Sequence, residues 1–192
     1  AESVLSRKQK ESGTAVVDIG AGTTNLIVIE DGEIEHVAVI PMGGMHVTND
    51  LAIGLRTELE IAELVKLKHA TLQERVTGET SFVSSGVEYR FERSLMRMII
   101  EARMEELVEY IDKELKRIHR SRKLPGGVVL VGGGSKLPGL VPFVREQLQL
   151  PVRLGNWQHL KSVVDGLDDQ RSATSVGLLL LDLLLGPSVG SS

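Results

Sequence analysis

The sequence predicts an α/β fold, a mixed sheet with flanking helices and an inserted α+β subdomain. Three observations carry this. Asp31-Gly32 stands between two β-like runs, the signal of a two-residue hairpin turn. A buried strand, a glycine loop, a helix and a short strand follow one another from Gly126 to Leu154, the order of a parallel crossover. Between these parts Met96, Ile100, Met104, Leu107, Ile111, Leu115 and Ile118 recur at helical spacing, which marks one long helix lying on a sheet or on other helices.

The elements follow in order. Residues 1–14 are polar and read as a flexible lead-in. Ala15–Ile19, Leu26–Glu30 and Ile34–Ile40 read as three antiparallel strands. "PMGG" breaks the sheet, and Val47, Leu51 and Leu55 open a helix. Thr57 with Glu60 has the form of a capping box, and Ile61, Leu64, Val65 and Leu72 mark the helix behind it. Residues 77–91 read as a hairpin about a Ser-Ser-Gly turn, and the long helix spans roughly Glu92–His119. "VVLVGGGS" is a strand entering a glycine loop, "KLPGLVPFVREQLQL" a helix, "PVRL" a strand and "QRSATSVGLLLLDLLL" a final apolar helix.

The 192 residues are 42% hydrophobic and 3% aromatic, so packing rests on Leu, Ile and Val. A net charge of −4 offers no basic face, which argues against a nucleic-acid partner. Without cysteine there is neither disulfide nor thiol chemistry. The longest apolar run, "SVGLLLLDLLLG", falls far short of the ~20 residues of a membrane span. The five histidines show no metal-ligand spacing. The chain begins with Ala rather than Met, as a piece of a longer protein would.

Three motifs carry candidate chemistry. In "VVDIGAGTT", Gly20 and Gly22 follow Asp18 at a strand end, with the hydroxyls of Thr23 and Thr24 beside them. Such a turn can hold an anion on successive N–H groups, and the carboxylate can hold Mg²⁺ beside phosphates. The stretch reads equally as a glycine-rich hairpin turn with an exposed Asp. "VLVGGGSKLPG" suits a backbone lying against a ligand, or a plain βα connection. Glu63 and Lys66 share a helix face, as a ligand pair or as an ordinary ion pair.

Taken together, "VVDIGAGTTNLIVIEDGEIEHVAVIPMGGMHVTNDLAIGLRTELEIAELVKLKHA" resembles the FtsA family of bacterial cell-division proteins, of the actin and sugar-kinase superfamily. "IIEARMEELVEYI", "GGVVLVGGGSKLPGL", "PVRLG" and "SATSVGLLLL" continue the resemblance in the same order, from Ala15 to Leu185. "DIGxGTT" and "GGG" belong to the wider superfamily, and "VIPMGGMHVTNDLAIGLRT" points to FtsA.

The resemblance implies an actin-like, ribonuclease-H-type fold that binds ATP with Mg²⁺. Gly20, Ala21, Gly22, Thr23 and Thr24 would form the second phosphate loop, with Asp18 as the catalytic and metal-side carboxylate. Glu63 and Lys66 would face ribose and base, and Gly132, Gly133, Gly134 and Ser135 the adenosine. Residues 15–55 and 126–185 would be the core subdomain, 56–125 the insertion and 186–192 a flexible tail. The family's first phosphate loop, and its membrane-targeting helix, have no counterpart in this sequence, so the expectation is the second actin-like half.

The implied function is that of an ATP-binding adaptor, not primarily an enzyme, with at most weak ATPase activity. It would tether FtsZ filaments to the cytoplasmic face of the inner membrane at the division septum and assemble into actin-like filaments. The FtsZ C-terminal tail would meet the insertion, where Arg93, Arg97 and Arg103 lie near the start of the long helix. The alternatives are a PilM-type adaptor of type IV pili, a kinase or chaperone of the same superfamily, and a structural domain without a ligand.

Overall fold

The computed structural model describes Leu5, Gln9 and residues 11–73 and 77–155. The expected final helix lies outside the described residues. Three strands open the fold: β1 (Thr14–Ile19), β2 (Thr24–Glu30) and β3 (Glu33–Ile40). They pair antiparallel, with Asp31 and Gly32 as the two-residue turn between β2 and β3. Both turn residues have positive φ, 53° and 81°, the geometry that matches the twist of a hairpin. Later β6 (Val128–Val131) joins β1 in parallel, and β7 (Val152–Leu154) joins β6 in parallel. The sheet order is β3-β2-β1-β6-β7, with β3 at one edge.

Helix α1 (Gly44–Leu55) follows the meander and α2 (Leu59–His69) follows α1. Thr57 is not the N-cap of α2. Arg56 adopts the left-handed conformation (φ 54°), its N–H donates to Ile53 O, and the Thr57 N–H donates to Ala52 O at 2.9 Å. That pair of bonds is a Schellman ending of α1. It holds Thr57 one residue short of the capping position, which Glu58 fills without a side-chain cap. Ile61 and Val65 are buried in α2, whereas Leu72 is buried beyond the helix end.

The hairpin is β4 (Glu79–Ser84) with β5 (Val87–Glu92), turning at Ser85-Gly86. Its rings of Phe82, Tyr89 and Phe91 lie 5.6–6.4 Å apart on one face. Helix α3 (Arg93–Arg117) buries Met96, Ile100, Met104, Leu107, Ile111 and Leu115, the stripe read from the sequence, with Ile118 just past the helix end. The expected helix from Lys136 is shorter. A 3₁₀ turn covers Gly133–Lys136, and α4 starts only at Leu140 and ends at Leu148. Pro138 forces this break, because the residue before a proline is pushed out of the helical region, and Leu137 has ψ 118°.

A single buried cluster includes Val17, Leu26 and Leu130 of the sheet, Leu51 of α1, Val65 of α2, Phe91 of β5, Ile100 and Leu115 of α3, and Leu140 of α4. At the N-terminal side Leu5 is buried, and the Gln9 carbonyl accepts the Thr14 hydroxyl at 2.8 Å. Among the described residues no helix is long and apolar enough to cross a membrane.

Candidate functional site

The parallel pairing of β1 with β6 sets Asp18 opposite Val131, so the two strands end side by side. The Gly20–Thr23 turn leaves one strand end and the Gly132–Ser135 loop the other. In open α/β sheets ligands bind beyond such carboxyl ends. The two loops are in close contact. A Cβ on Gly132 would lie 2.4 Å from Asp18 Oδ1 and 2.5 Å from the Ile19 carbonyl, so only glycine fits there.

The first turn of α1 orients the turn after Asp18. The Gly20 N–H donates to Thr23 O at 2.9 Å and closes the turn. The N–H groups of Gly44 and Met45 donate to the carbonyls of Gly20 and Ala21 at 2.9 and 2.8 Å. A Cβ on Gly43 would stand 2.6 Å from both carbonyl oxygens, so a side chain here would force the helix away. A trans peptide points its C=O and its following N–H in opposite directions. Fixing the carbonyls of Gly20 and Ala21 on α1 therefore turns the N–H groups of Ala21 and Gly22 away from the helix. Among the described residues no backbone carbonyl accepts the N–H of Ala21, Gly22 or Thr23, and all three residues are exposed. Such a turn can hold phosphate oxygens on backbone donors.

Thr24 departs from its expected role as a hydroxyl donor to phosphate. It is fully buried, and its hydroxyl donates to Met42 O at 2.8 Å, because as the first residue of β2 it points into the core rather than out of the turn. Ser135 is likewise buried, with its hydroxyl on Gly132 O at 2.8 Å, where it shapes the loop from within. Gly133 is exposed and Gly134 half-buried against Ile19.

Glu63 and Lys66 form an ion pair at 2.6 Å, and both engage α1. Lys66 Nζ donates to Gly44 O at 3.1 Å and to Thr48 Oγ1 at 2.8 Å, and the Thr48 hydroxyl donates to Glu63. Burial works to raise the Glu63 carboxyl, but the hydrogen bonds from Lys66 and Thr48 and the Lys66 charge outweigh it and hold it below its ordinary value. A groove of about 520 Å³ lies beside this cluster, lined by Met45, Asn49, Leu59 and Leu64 with Thr48 and Glu63. Beyond α2, the Leu72 N–H donates to Pro138 O at 2.8 Å, so the segment after α2 meets the loop after the glycines.

Thr48 is a site residue that motif reading passed over. Its signal was available: it is a polar residue within the buried set Val47, Thr48 and Leu51 of α1, and a buried polar group requires a partner. Among the described residues no three His, Cys, Asp or Glu gather into a metal-binding group. The single carboxylate of Asp18 at the strand end fits Mg²⁺ chemistry, since that ion commonly takes one or two carboxylates and completes its shell with water and phosphate.

A second polar region lies at the start of α3. Among the described residues, the Nε atoms of Arg93 and Arg97 are the buried side-chain polar atoms without a hydrogen-bond partner. Lys68 Nζ lies 5.5 Å from the Phe82 ring centre, and His69 is hydrogen-bonded to Thr80 at 3.1 Å. Burial, with the charges of Arg93 and Lys68, pushes His69 below its ordinary value. Arg97 also pairs with Glu101 at 3.3 Å.

Comparisons with known proteins bear on the fold and the family. A solved structure, MreB5 of Spiroplasma citri bound to ADP, is similar with a TM-score of 0.71 at 19% identity, covering 92% of this chain and 55% of that one. A MamK double helical filament is similar with a TM-score of 0.64 at 23% identity, covering 86% of this chain and 54% of that one. At these identities the likeness is one of fold, which is therefore actin-like. The cell division protein FtsA of Pseudomonas aeruginosa is 40% identical over 189 residues, 95% of this chain and 45% of that protein. That of Bacillus subtilis is 36% identical over 180 residues, 91% of this chain and 40% of that protein. The chain thus spans less than half the length of these relatives. A family profile described as cell division protein FtsA matches residues 15–177. The chain belongs to the FtsA family of cell division proteins.

Proposed function

We propose that this chain forms one wall of an ATP site in an actin-like cell-division adaptor, which links FtsZ filaments to the inner membrane at the septum. The observation that carries the nucleotide reading is the turn after Asp18. Its Gly20 and Ala21 carbonyls are tied to α1, which turns the N–H groups of Ala21 and Gly22 away from that helix. Ala21, Gly22 and Thr23 bind phosphate oxygens through their N–H groups, Gly20 shapes the turn, and Thr24 anchors it through Met42. Asp18 holds Mg²⁺, directly or through water, and the ion when bound neutralises phosphate charge. Gly132, Gly133, Gly134 and Ser135 supply a flat backbone surface for the adenosine, while Glu63 and Lys66 face ribose and base. The ADP-bound actin-like neighbour supports a nucleotide of this class.

The acidic tail of FtsZ docks at the start of α3. Arg93, whose charge acts on His69 together with that of Lys68, and Arg97, four residues on along α3, have Nε atoms without a partner and offer donors to its carboxylates. Self-association into filaments is the analogous reading for assembly, supported by the filamentous neighbour. The protein acts by binding and assembly, and any ATP turnover is slow.

The test is calorimetric titration of the full-length protein, and of this chain alone, with Mg-ATP. The full-length protein binds with a dissociation constant near ~1 μM or tighter. The chain alone binds orders of magnitude more weakly, because one phosphate loop leaves part of the phosphate charge facing water, and each missing charge-assisted bond costs about 1.5–3 kcal/mol. Absence of binding by the full-length protein overturns the nucleotide reading. Equal binding by both overturns the division of the site between two halves.

A further inference from the structure

We infer that Thr48 is a positioning residue that couples the Glu63–Lys66 pair to the phosphate turn through the first turn of α1, an inference that rests on the nucleotide reading above. The path is short and each step is a hydrogen bond. The Thr48 hydroxyl donates to the Glu63 carboxylate and accepts from Lys66 Nζ at 2.8 Å. The same ammonium donates to Gly44 O at 3.1 Å, and the Gly44 N–H donates to the Gly20 carbonyl at 2.9 Å. Gly20 opens the turn that presents the phosphate donors. Thr48 is only 6% exposed, so water does not take over either of its bonds.

The hydroxyl has one proton and two charged neighbours of opposite sign, and it satisfies both. It thereby fixes Lys66 on the Gly44 carbonyl and Glu63 in its rotamer. A ligand that draws on Glu63 or Lys66 shifts this arrangement, and the shift reaches the phosphate turn through the Gly44–Met45 peptide, whose C=O accepts Lys66 and whose N–H donates to the Ala21 carbonyl at 2.8 Å. The two ends of the nucleotide are therefore bound cooperatively, through a free energy of coupling between neighbouring subsites.

The experiment measures Mg-ATP and adenosine affinities of the full-length protein with Thr48→Val, Thr48→Ala and Thr48→Ser. Valine keeps the shape without the hydroxyl, alanine removes it without an added methyl, and serine restores it. The expected result is an ATP affinity lowered roughly tenfold in the Val and Ala variants, as for loss of a hydrogen bond to a charged group. Adenosine affinity falls by less than ATP affinity, and Ser retains the wild-type preference for ATP. A purely structural role would lower the unfolding midpoint without changing the ratio of ATP to adenosine affinity, and that result overturns the inference while leaving ATP binding intact. Should the wild type bind no ATP, the nucleotide reading falls first and this coupling with it. If Val is too unstable to measure, Ala and Ser decide the matter by the same ratio.

Discussion

Arg103 grips Asp50 with two parallel hydrogen bonds, Nε to one carboxylate oxygen at 2.6 Å and Nη2 to the other at 2.8 Å. The pair joins α3 to α1, and both side chains are about three-quarters buried, at 22% and 25% exposure. Glu106 adds a third contact at 2.5 Å. Arg103 is therefore committed within the fold, more fully than Arg97 with its single 3.3 Å pair to Glu101, and is the least available of the three arginines for a tail. Arg103→Ala should lower stability by about 1–2 kcal/mol, since it leaves the Asp50 charge without its partner. Arg103→Lys should recover little, because an ammonium cannot reproduce the fork. Denaturant midpoints measure both, and a midpoint shared with wild type would mean that water replaces the pair without loss.

Two neighbouring glycines should separate stability from binding. Gly132 has φ 84° and no room for a Cβ, so Gly132→Ala should destabilise by about 2–4 kcal/mol through strain and displacement of β1. Gly133 is exposed, so Gly133→Val should leave the unfolding midpoint nearly unchanged while weakening ATP binding in the full-length protein. Unfolding curves and ATP titrations of both variants give the answer. An unchanged ATP affinity for Gly133→Val would reduce this loop to a connector.

Reversing the charge of Arg93 and Arg97 together should abolish binding of an acidic FtsZ-tail peptide, with a modest loss of thermal stability because a carboxylate at 97 would face Glu101. His69 offers a second readout. Burial, with the neighbouring Arg93 and Lys68, holds it below its ordinary value of 6.5, so it is neutral at pH 7. A bound carboxylate raises it by favouring the charged form. Peptide affinity should thus increase as pH falls below 7, until the peptide's own carboxylates protonate. A titration of the His69 ring by NMR, with and without peptide, checks the direction. No upward shift on binding places the peptide elsewhere.

Glu63 sets a limit at acid pH. Its folded-state value is lowered from 4.5, so the stability it contributes is present above that value and is lost as pH falls through the lower folded value. Its side chain is 41% exposed, and water screens part of the effect. Glu63→Gln should flatten the acid limb of the stability profile below about pH 5, with little change in slope near pH 7. Thermal midpoints across that range measure the slope, and parallel profiles for the two proteins would show that the carboxylate carries no linkage.

Much of this architecture was legible because its signals are local. Asp31-Gly32 dictates a hairpin by backbone geometry, and the Met96–Leu115 stripe dictates which face of α3 is buried. Thr57 was misread because two endings compete there: a helix start written in side chains lost to a helix end written in the backbone of Arg56. Thr24 was misread because strand alternation, not composition, decides that its hydroxyl points inward to Met42. The network of Thr48 with Glu63, Lys66 and Gly44 depends on how two helices pack, which no local pattern encodes. The positions of Lys68 and His69 beside Arg93 depend in the same way on the packing of the hairpin.

The continuous apolar cluster running from Val17 and Leu130 through Leu51 to Ile100 and Phe91 has a thermodynamic consequence. Among the described residues it joins the sheet to the hairpin and α3 in one interior. Helix α3 contributes Met96, Ile100, Met104, Leu107, Ile111 and Leu115 to it, so loosening the hairpin against α3 disturbs packing that the sheet shares. The hairpin and α3 are thus not a module that could be exchanged for another of similar length, because part of the interior would leave with them. Folding and unfolding are accordingly shared events, in which regions remote along the chain gain or lose order together.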